Sequence, residues 1–352
     1  MKYNINDLNL KEKLGQMIIL GLDVSNIDNK ILNLIKEYHI GGVVLYKKNY
    51  QDTASMINLI NKLKHHNPSN IPMFFALDQE NGLVNRFPSD IKRLPSPRTQ
   101  VQNNIVSKCN NLTINILKQL GINMNLAPVL DVDRHHSSRV NGTRSYSTNY
   151  QEVIKHGQLT LNQYQKSGII AVGKHFPGHG LAKGDSHFVL PIIKDLKTLE
   201  QEELQIYRTL SPHLDVLMTS HLRIKGYGFK PTTMNKNIIN KYLLNNYSGL
   251  LITDDIRMNY LKYIYGTKKI FLDCLTAGNN LIMVKCRPHT PKLYKKLLHT
   301  IAKNPNLEEY VNNSVTKILA LKEKYQLSNN PISNNIDIPK INDEITKLTN
   351  QK

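Results

Sequence analysis

The most chemically concentrated stretch of the sequence is GKHFPGHGLAKGDSH, which covers residues 173–187. It brings together Lys174, His175, His179, Asp185 and His187. Histidine has an unperturbed pKa of about 6.5, so it can both give and take a proton near neutral pH. Asp185 can accept the proton of one His187 ring nitrogen and hold the other nitrogen toward a substrate. Three glycines between residues 176 and 188 favour a loop that closes over a bound molecule.

Two other interpretations of this stretch stay open on residue types alone. His175, His179, Asp185 and His187 could ligate a metal, and the same residues could belong to a solvated polar loop. The spacing is not that of H-E-x-x-H, and Pro177 would break any helix that aligned the first two histidines. We therefore expect no metal and no cofactor here, while acid–base chemistry and a solvated polar loop both stay open on these residues alone.

A second candidate is Asp254, which directly follows the apolar run Leu250–Thr253. A carboxylate at that position can attack an electrophilic carbon or stabilise a cation. It could also do no more than cap the next helix. Position alone leaves both readings open.

The elements that must position these residues are short apolar runs separated by longer amphipathic segments. Runs of this length without polar alternation are typical of strands buried on both faces. There are eight such runs: Met17–Gly21, Val43–Tyr46, Phe74–Leu77, Met124–Ala127, Ile169–Val172, Val216–Thr219, Leu250–Thr253 and Leu281–Val284. Eight strand–helix repeats predict a single α/β domain, a (β/α)8 TIM barrel. A doubly wound open sheet is the alternative, but no G-x-G-x-x-G follows the first run.

The amphipathic segments predict helices, and capping residues mark the ends of several of them. Asp52 can cap one helix, and another runs from about Tyr150 to a glycine cap at Gly168. A third covers Thr267–Ala277, and the last lies around Leu307–Tyr325. We expect the barrel to occupy residues 1–327 and a polar C-terminal tail to occupy residues 328–352, with partial packing of the tail against the barrel left open.

Polar residues follow five of the eight apolar runs. In a TIM barrel the carboxyl ends of the strands form the active-site face, so these residues should meet at one rim. They are Asp78 and Arg86 after the third run, Arg144 after the fourth, Lys174 and His175 after the fifth, His221 after the sixth, and Asp254 after the seventh.

The overall composition narrows the classes of partner. The net charge is +19, but the lysines are scattered and no zinc-finger spacing or aromatic–basic interleaving accompanies them, so we expect no nucleic-acid partner. The start lacks the pattern of a signal peptide, and no apolar run is long enough to cross a membrane. Three cysteines without C-x-x-C spacing argue against a disulfide framework. We expect a basic, monomeric protein of the cytosol.

Several motifs together resemble glycoside hydrolase family 3, and more narrowly its single-domain bacterial β-N-acetylglucosaminidases. They are KHFPGHG followed by DSH, together with DQENG, NLAPVLDV, MTSHL and ITDDIRM. The resemblance extends from about residue 10 to about residue 325. The combination of KHFPGHG with DSH is highly specific, whereas DQE alone would be weak.

The resemblance implies a (β/α)8 fold and a retaining, two-step hydrolysis that needs no metal. It makes Asp254 the nucleophile, and His187 the general acid and then base with Asp185 as its partner. It also assigns the hydroxyls of the terminal sugar to Asp78, Arg86, Arg144, Lys174 and His175. The expected substrate is a carbohydrate, GlcNAc linked to a 1,6-anhydro-muropeptide fragment recycled from the cell wall.

This chain departs from the family pattern at three places. Asn81 replaces a glycine of D-Q-E-G-G, and asparagine is among the least costly substitutes if that position needs a positive φ. Leu181-Ala182 replaces an Asp-Thr pair, so the loop has the same length but lacks two hydrogen-bonding side chains. Asn280 replaces an aspartate near the eighth strand.

Two alternative functions stay open at this stage. A histidine acid–base leaves less negative charge beside an attacking phosphate, so a glycoside phosphorylase or another β-glycosidase could use the same scaffold. The altered loop residues also allow a sugar-binding protein without catalysis, although the retention of Asp254, Asp185 and His187 argues against it.

Overall fold

The strands of the protein form a closed, parallel barrel. The computed structural model describes residues 3–134, 142–183, 190–244 and 247–350. Within these ranges the strands are β1 (Ile18–Gly21), β2 (Gly42–Val44), β3 (Phe74–Leu77), β4 (Met124–Asn125), β5 (Ile170–Phe176), β6 (Ala182–Lys183), β7 (Ile192–Ile193), β8 (Val216–Thr219), β9 (Arg223–Ile224), β10 (Leu250–Thr253) and β11 (Ile282–Lys285).

Helices separate most of the barrel strands. They are α1 (Leu10–Gln16), α2 (Asn29–Tyr38), α3 (Thr53–His65), α4 (Pro97–Gln102), α5 (Val106–Gln119), α6 (Tyr150–Ser167), α7 (Leu196–Thr198), α8 (Leu204–Leu210), α9 (Lys236–Ile239), α10 (Asn259–Tyr265), α11 (Thr267–Thr276), α12 (Thr290–Ala302), α13 (Pro305–Lys324) and α14 (Ile338–Thr349).

The eight-stranded barrel is confirmed. Its strands follow one another in the order β1, β2, β3, β4, β5, β8, β10 and β11, and every pairing is parallel. β11 pairs back onto β1, and a bridge between Ile252 and Leu281 joins the remaining edge. The strands are almost wholly buried because barrel side chains fill the inside while helices cover the outside.

The helix ends follow the local rules that the sequence indicates. The side chain of Asp52 accepts a hydrogen bond from the Ser55 backbone N–H and so caps α3. α6 ends at Gly168, whose φ of 79° is the left-handed conformation that glycine adopts without cost. No helix among the described residues has the length and apolar character that a bilayer crossing requires.

Two barrel strands differ from the predicted runs in ways that matter for the site. β4 stops at Asn125, and its buried amide accepts from the Gln79 N–H and donates to the Gln79 carbonyl, each at 3.0 Å. The strand therefore holds the chain that leaves β3. β5 continues to Phe176, so Lys174 and His175 lie within the strand itself.

A small three-stranded sheet lies at the carboxyl ends of the barrel strands. β6 pairs antiparallel with β7, and β7 pairs parallel with β9, which follows β8 after only three residues. The chain that leaves β5 therefore returns beside the chain that leaves β8. Asp185 and His187 lie between β6 and β7, outside the residues that the structure describes.

The C-terminal segment is longer in regular structure than a polar tail would be. The structure places α14 there, and its Ile341, Ile345 and Leu348 are buried. Before this helix, Ile332 exchanges two backbone hydrogen bonds with the side chain of Asn61 on α3. The segment after residue 327 is thus packed on the barrel.

Candidate active site

Lys174 is the centre of an ion-pair cluster at the barrel opening. Its side chain is 2% exposed, and Nζ lies 2.8 Å from Asp78 Oδ1 and 2.6 Å from Glu80 Oε1. Glu80 is shared with Arg144, whose Nε and Nη2 donate to its two carboxylate oxygens at 2.6 and 2.8 Å. Three residues that the sequence singled out, Asp78, Arg144 and Lys174, are thus brought together around one that it did not, Glu80.

The charge state of this cluster follows from its contacts. Burial alone would raise the pKa of the Glu80 carboxyl, but Lys174 and Arg144 lower it to about 2. Burial would lower the pKa of Lys174, yet the two carboxylates raise it above its ordinary value. Both partners are therefore charged near neutral pH. Asp78 uses one oxygen on Lys174, and its side chain is 25% exposed, which leaves it facing the opening.

His175 is fixed by a second buried carboxylate, that of Asp131. Its Nδ1 lies 2.7 Å from Asp131 Oδ2, and the backbone N–H groups of His175 and His179 both donate to Oδ1. Burial raises the pKa of Asp131, but His175 outweighs it and holds that pKa below the usual range. A carboxylate can only accept here, so Nδ1 carries the proton and Nε2 is left for another partner.

Asp254 directly follows β10 and is half-buried in the same opening. Its N–H donates to the Thr219 carbonyl of β8 at 3.1 Å, and its Oδ1 accepts from the Asp255 N–H at 2.7 Å. Burial raises the pKa of Asp254, but His221, His175, the Asp255 N–H and Lys174 together lower it. Asp254 is therefore ionised, and it faces the polar side chains that β5 and the loop after β8 supply.

Asp255 has a different, structural set of contacts. Its Oδ1 accepts from the backbone N–H groups of Arg257 and Lys285, and its Oδ2 pairs with the Lys285 ammonium at 3.3 Å. These bonds tie the start of the loop after β10 to the end of β11. The two adjacent aspartates therefore diverge, and only Asp254 has a carboxylate oxygen directed to the opening without such anchoring.

His221 is engaged at both ring nitrogens. Nε2 lies 3.1 Å from the Asp255 carbonyl, so it donates, and Nδ1 accepts from the Thr233 hydroxyl at 2.8 Å. Burial lowers the pKa of His221, which keeps the ring neutral near pH 7. His221 therefore fixes the loop that carries Asp254, and its ring has no free nitrogen for a substrate proton.

Arg86 lies on the loop after β3 but outside the Lys174 cluster. Its backbone N–H donates to Gln79 Oε1 at 2.6 Å, and its carbonyl accepts from the Tyr50 hydroxyl. Within the described ranges its half-buried guanidinium makes no hydrogen bond or ion pair. The guanidinium is thus available to a ligand, whereas that of Arg144 is already committed to Glu80.

Asp185 and His187 cannot be located, because they lie outside the described residues. The structure does place both ends of their segment, since Ala182 pairs with Ile193 and Lys183 with Ile192. Among the residues that are described, no group of three or more His, Cys, Asp or Glu side chains could hold a metal ion. The buried Nδ1 of His179 has no hydrogen-bond partner among the described residues, and burial lowers the pKa of His179 to about 4.

The three departures from the family pattern have separate structural consequences. Asn81 adopts a φ of 71°, the conformation that asparagine tolerates better than most residues, and its side chain bonds Gln79 and Thr113. Ala182 is buried in the pairing of β6 with β7. Asn280 precedes β11 at the opposite end of the barrel from Asp254, where its Oδ1 accepts from the Leu251 N–H at 2.9 Å.

Sequence reasoning missed Glu80 and Asp131 as members of the site. Each is buried and is held ionised by cationic or hydrogen-bonding partners, a state that the residue types alone do not reveal. The available signal was position, because Glu80 lies two residues beyond Asp78 and Asp131 follows the run that contains β4. Tyr46, at the end of the second apolar run, was also missed. The pKa of the Tyr46 hydroxyl is raised, first by burial and then by the nearby carboxylates of Asp78, Asp255, Asp23 and Asp254.

Comparisons with known proteins agree on one family. The glycosyl hydrolase family 3 N-terminal domain matches residues 9–321. A beta-hexosaminidase of Tolumonas auensis is 27% identical over 277 residues, which cover 76% of this chain and 81% of that protein. One of Photobacterium profundum is 25% identical over 317 residues, covering 85% and 92%.

Solved structures point the same way. A glycoside hydrolase family 3 beta-N-acetylglucosaminidase from Paenibacillus sp. str. FPU-7 superposes with a TM-score of 0.88 at 27% identity. The superposition covers 98% of this chain and 69% of that one.

Proposed function

Because this chain belongs to glycosyl hydrolase family 3 and is therefore a glycosidase, we propose that it is a retaining exo-β-N-acetylglucosaminidase that removes terminal, non-reducing β-linked GlcNAc. The relatives named above are beta-hexosaminidases and a beta-N-acetylglucosaminidase, which supports this activity. The observation that carries the proposal is the ionised carboxylate of Asp254 at the barrel opening, beside a cluster able to hold a sugar.

Asp254 is the proposed nucleophile. An ionised carboxylate can attack the anomeric carbon and stabilise the oxocarbenium-like charge that develops there. Its lowered pKa supports this role, because the Asp255 N–H and the Lys174 ammonium favour the ionised, reactive form. The step forms a bond from a carboxylate oxygen to the anomeric carbon and breaks the bond to the leaving-group oxygen.

His187 is the proposed general acid and then general base, with Asp185 as its orienting partner. It would give a proton to the leaving oxygen, then take one from the water that releases the sugar. A neutral imidazole places no second negative charge beside Asp254, so the nucleophile can stay ionised. The pairing of β6 with β7 supports the role, since it anchors both ends of the segment at the opening.

The sugar-binding residues fall into two groups under this proposal. Among the described contacts, Asp78 keeps a carboxylate oxygen, Arg86 keeps its guanidinium N–H groups and His175 keeps Nε2 available to bond sugar hydroxyls. Lys174 and Arg144 are held in place by Glu80, which forms an ion pair with each of them. Glu80 itself is saturated by both cations, so we assign it a positioning role.

The natural substrate we propose is GlcNAc linked to an anhydro-muropeptide fragment, hydrolysed in the cytosol by a monomer during cell-wall recycling. The net charge of +19 supports a substrate that carries carboxylates. The three cysteines are buried and unpaired, as a reducing compartment allows.

The activity is tested with a chromogenic β-GlcNAc glycoside and the isosteric variant Asp254→Asn. Wild type should turn over the substrate, and the variant should lose at least about 10⁴-fold in kcat, as when other covalent nucleophiles are removed. Asp255→Asn is not a suitable control because it anchors β11, so the matched control is the exposed Asp343→Asn. Retention of most activity in Asp254→Asn would contradict the proposal, as would a sugar 1-phosphate product in phosphate buffer.

A further inference from the structure

The rim of the barrel opening carries most of the exposed large apolar side chains of the described chain. Leu83, Phe229, Tyr263 and Ile264 are between 52% and 81% exposed. Each lies in the segment that follows the carboxyl end of a barrel strand, namely β3, β8 or β10. Apolar surface that is concentrated on one face, beside a catalytic opening, indicates a surface that contacts a ligand.

A hollow of about 380 Å³ lies on this rim, on the outer face of the small sheet. We call it the rim hollow; its lining side chains are Ile192, Lys194, Arg223, Lys225 and Phe229, with two glycines beside them. β7 and β9 pair in register, and strand side chains alternate between faces. The buried Ile193 and Ile224 therefore face the barrel while the three cations face solvent.

The cations of the rim hollow lack anionic partners within the described chain. No carboxylate lines the hollow, and Lys194 and Lys225 make no ion pair with any described residue. Arg223 stacks its guanidinium 4.7 Å above the Phe229 ring and donates to the Gly228 carbonyl. Its Nε is buried without a hydrogen-bond partner.

Neighbouring surface lysines differ from those of the rim hollow. Lys230 pairs with Asp273 at 3.0 Å, and Lys241 reaches Glu200 at 4.0 Å. These two lysines thus have carboxylate partners, whereas Lys194 and Lys225 have none among the described residues. A carboxylate can bond the planar guanidinium of Arg223 and the ammonium groups on either side of it. The exposed Phe229 ring can pack against an apolar part of the molecule that carries this carboxylate.

The rim hollow lies close to the loops that carry His221 and Asp254. Arg223 follows His221 by two residues, so their Cα atoms are at most about 7 Å apart. His221 in turn bonds the carbonyl of Asp255, next to Asp254. β7 closes the segment that contains His187, and the general acid of a retaining glycosidase stands beside the leaving-group oxygen.

We propose that the rim hollow binds a carboxylate on the leaving-group side of the substrate, through Lys194, Arg223 and Lys225, with Phe229 packed against the group that carries it. The hollow thereby favours glycosides with acidic leaving groups over neutral ones. This inference rests on the proposed function, because it presumes that the glycosidic bond is cleaved at Asp254.

The test compares two β-GlcNAc glycosides that share one peptide-bearing leaving group, with its two carboxylates either free or amidated. The variant is Lys194→Gln/Lys225→Gln, since both side chains are exposed and neither makes an ion pair with a described residue. We expect kcat/KM for the free-acid substrate to fall by about three- to tenfold through KM, with the amidated substrate unchanged. In wild type, 0.5 M salt should remove most of the preference.

The control is Lys295→Gln/Lys296→Gln, which removes the same charge from exposed positions of α12. An equal loss in the control, or an equal loss for both substrates, would overturn the assignment of the hollow while leaving the glycosidase activity intact. No turnover of either substrate by wild type would instead overturn the proposed function. A wild-type dimer that Phe229→Ala converts to monomer would show that a second copy occupies the rim.

Discussion

At the scale of single residues, the site depends on buried charges that hold one another in place. Asp78, Arg144, Lys174 and Asp254 could be selected from the sequence because each follows an apolar run that becomes a strand. Glu80 was not selected, because its position near Asp78 is a weak signal until the fold brings two cations onto it. A buried carboxylate would be costly alone, but here Glu80 and Asp78 together balance the two positive charges of Lys174 and Arg144.

Replacing Glu80 by glutamine should therefore weaken both the fold and substrate binding. Glu80→Gln removes the buried negative charge that Lys174 and Arg144 share, so the free energy of unfolding should fall by about 3 kcal/mol. KM for the chromogenic glycoside should rise, since Lys174 loses its fixed position. Asp343→Asn, which removes the exposed partner of Lys347, should change neither quantity appreciably.

The pH dependence of that effect has a defined sign. The folded-state pKa of Glu80 is lowered to about 2 from an ordinary value of 4.5. Its stabilisation is therefore complete above pH 4.5 and is lost as the pH falls toward 2. Denaturation of wild type and Glu80→Gln between pH 3 and pH 7 should show the difference shrinking at the acidic end. A difference that grows on acidification would contradict the assigned ion pairs.

At the scale of elements, the sequence predicted the eight barrel strands well and the small sheet not at all. A strand that is buried on both faces has an uninterrupted apolar sequence. The predicted runs Phe74–Leu77, Val216–Thr219 and Leu250–Thr253 therefore match the observed strands to the residue. β6, β7 and β9 have two residues each and no periodicity of their own. They exist because the long loops after β5 and β8 lie side by side, a tertiary cause that local sequence does not encode.

The turn after β5 depends on close packing against Glu203, a wholly buried side chain. Burial raises the pKa of Glu203 to about 8. A Cβ at Gly180 would overlap the Val132 carbonyl oxygen and lie 2.9 Å from Glu203 Oε1. Gly180→Ala should displace the turn that Asp131 holds and lower kcat by about 10²-fold, the cost of a shift near 1 Å in a catalytic element.

A matched glycine replacement tests whether that loss is local. A Cβ at Gly157, in α6, meets only the flexible ends of Leu130 and Leu210. Gly157→Ala should therefore keep near wild-type kcat, with the chromogenic glycoside as the assay for both variants. Unchanged kcat in Gly180→Ala would show that this turn does not position the catalytic groups.

At the scale of the whole molecule, the chain after residue 327 behaves as part of the barrel's outer layer. Composition suggested a polar tail, because asparagine is the commonest residue of the segment, and proline and lysine occur in it as well. The apolar residues Ile341, Ile345 and Leu348 nevertheless recur at intervals of four and three and form one buried helix face. The spacing of these three residues is the pattern of an amphipathic helix, but it is short and lies within a segment of polar composition.

Removing one side chain from that face should measure its contribution. Ile345→Ala should lower the free energy of unfolding by about 2 to 4 kcal/mol, whereas the exposed Glu344→Ala should change it by less than about 0.5 kcal/mol. Chemical denaturation of the two variants provides the comparison. Equal stability of both would indicate that α14 is not docked in solution.

The proposed retaining mechanism requires Asp254 to form a covalent bond to the sugar. His187→Ala with a dinitrophenyl β-GlcNAc glycoside should let the first step proceed, because that leaving group needs no acid, and should slow the second, which needs a base. Peptide mapping by mass spectrometry of the trapped enzyme is predicted to find one GlcNAc on the peptide that contains Asp254, and none in Asp254→Asn. A label on another residue, or an inverted product with no trapped intermediate, would contradict the account.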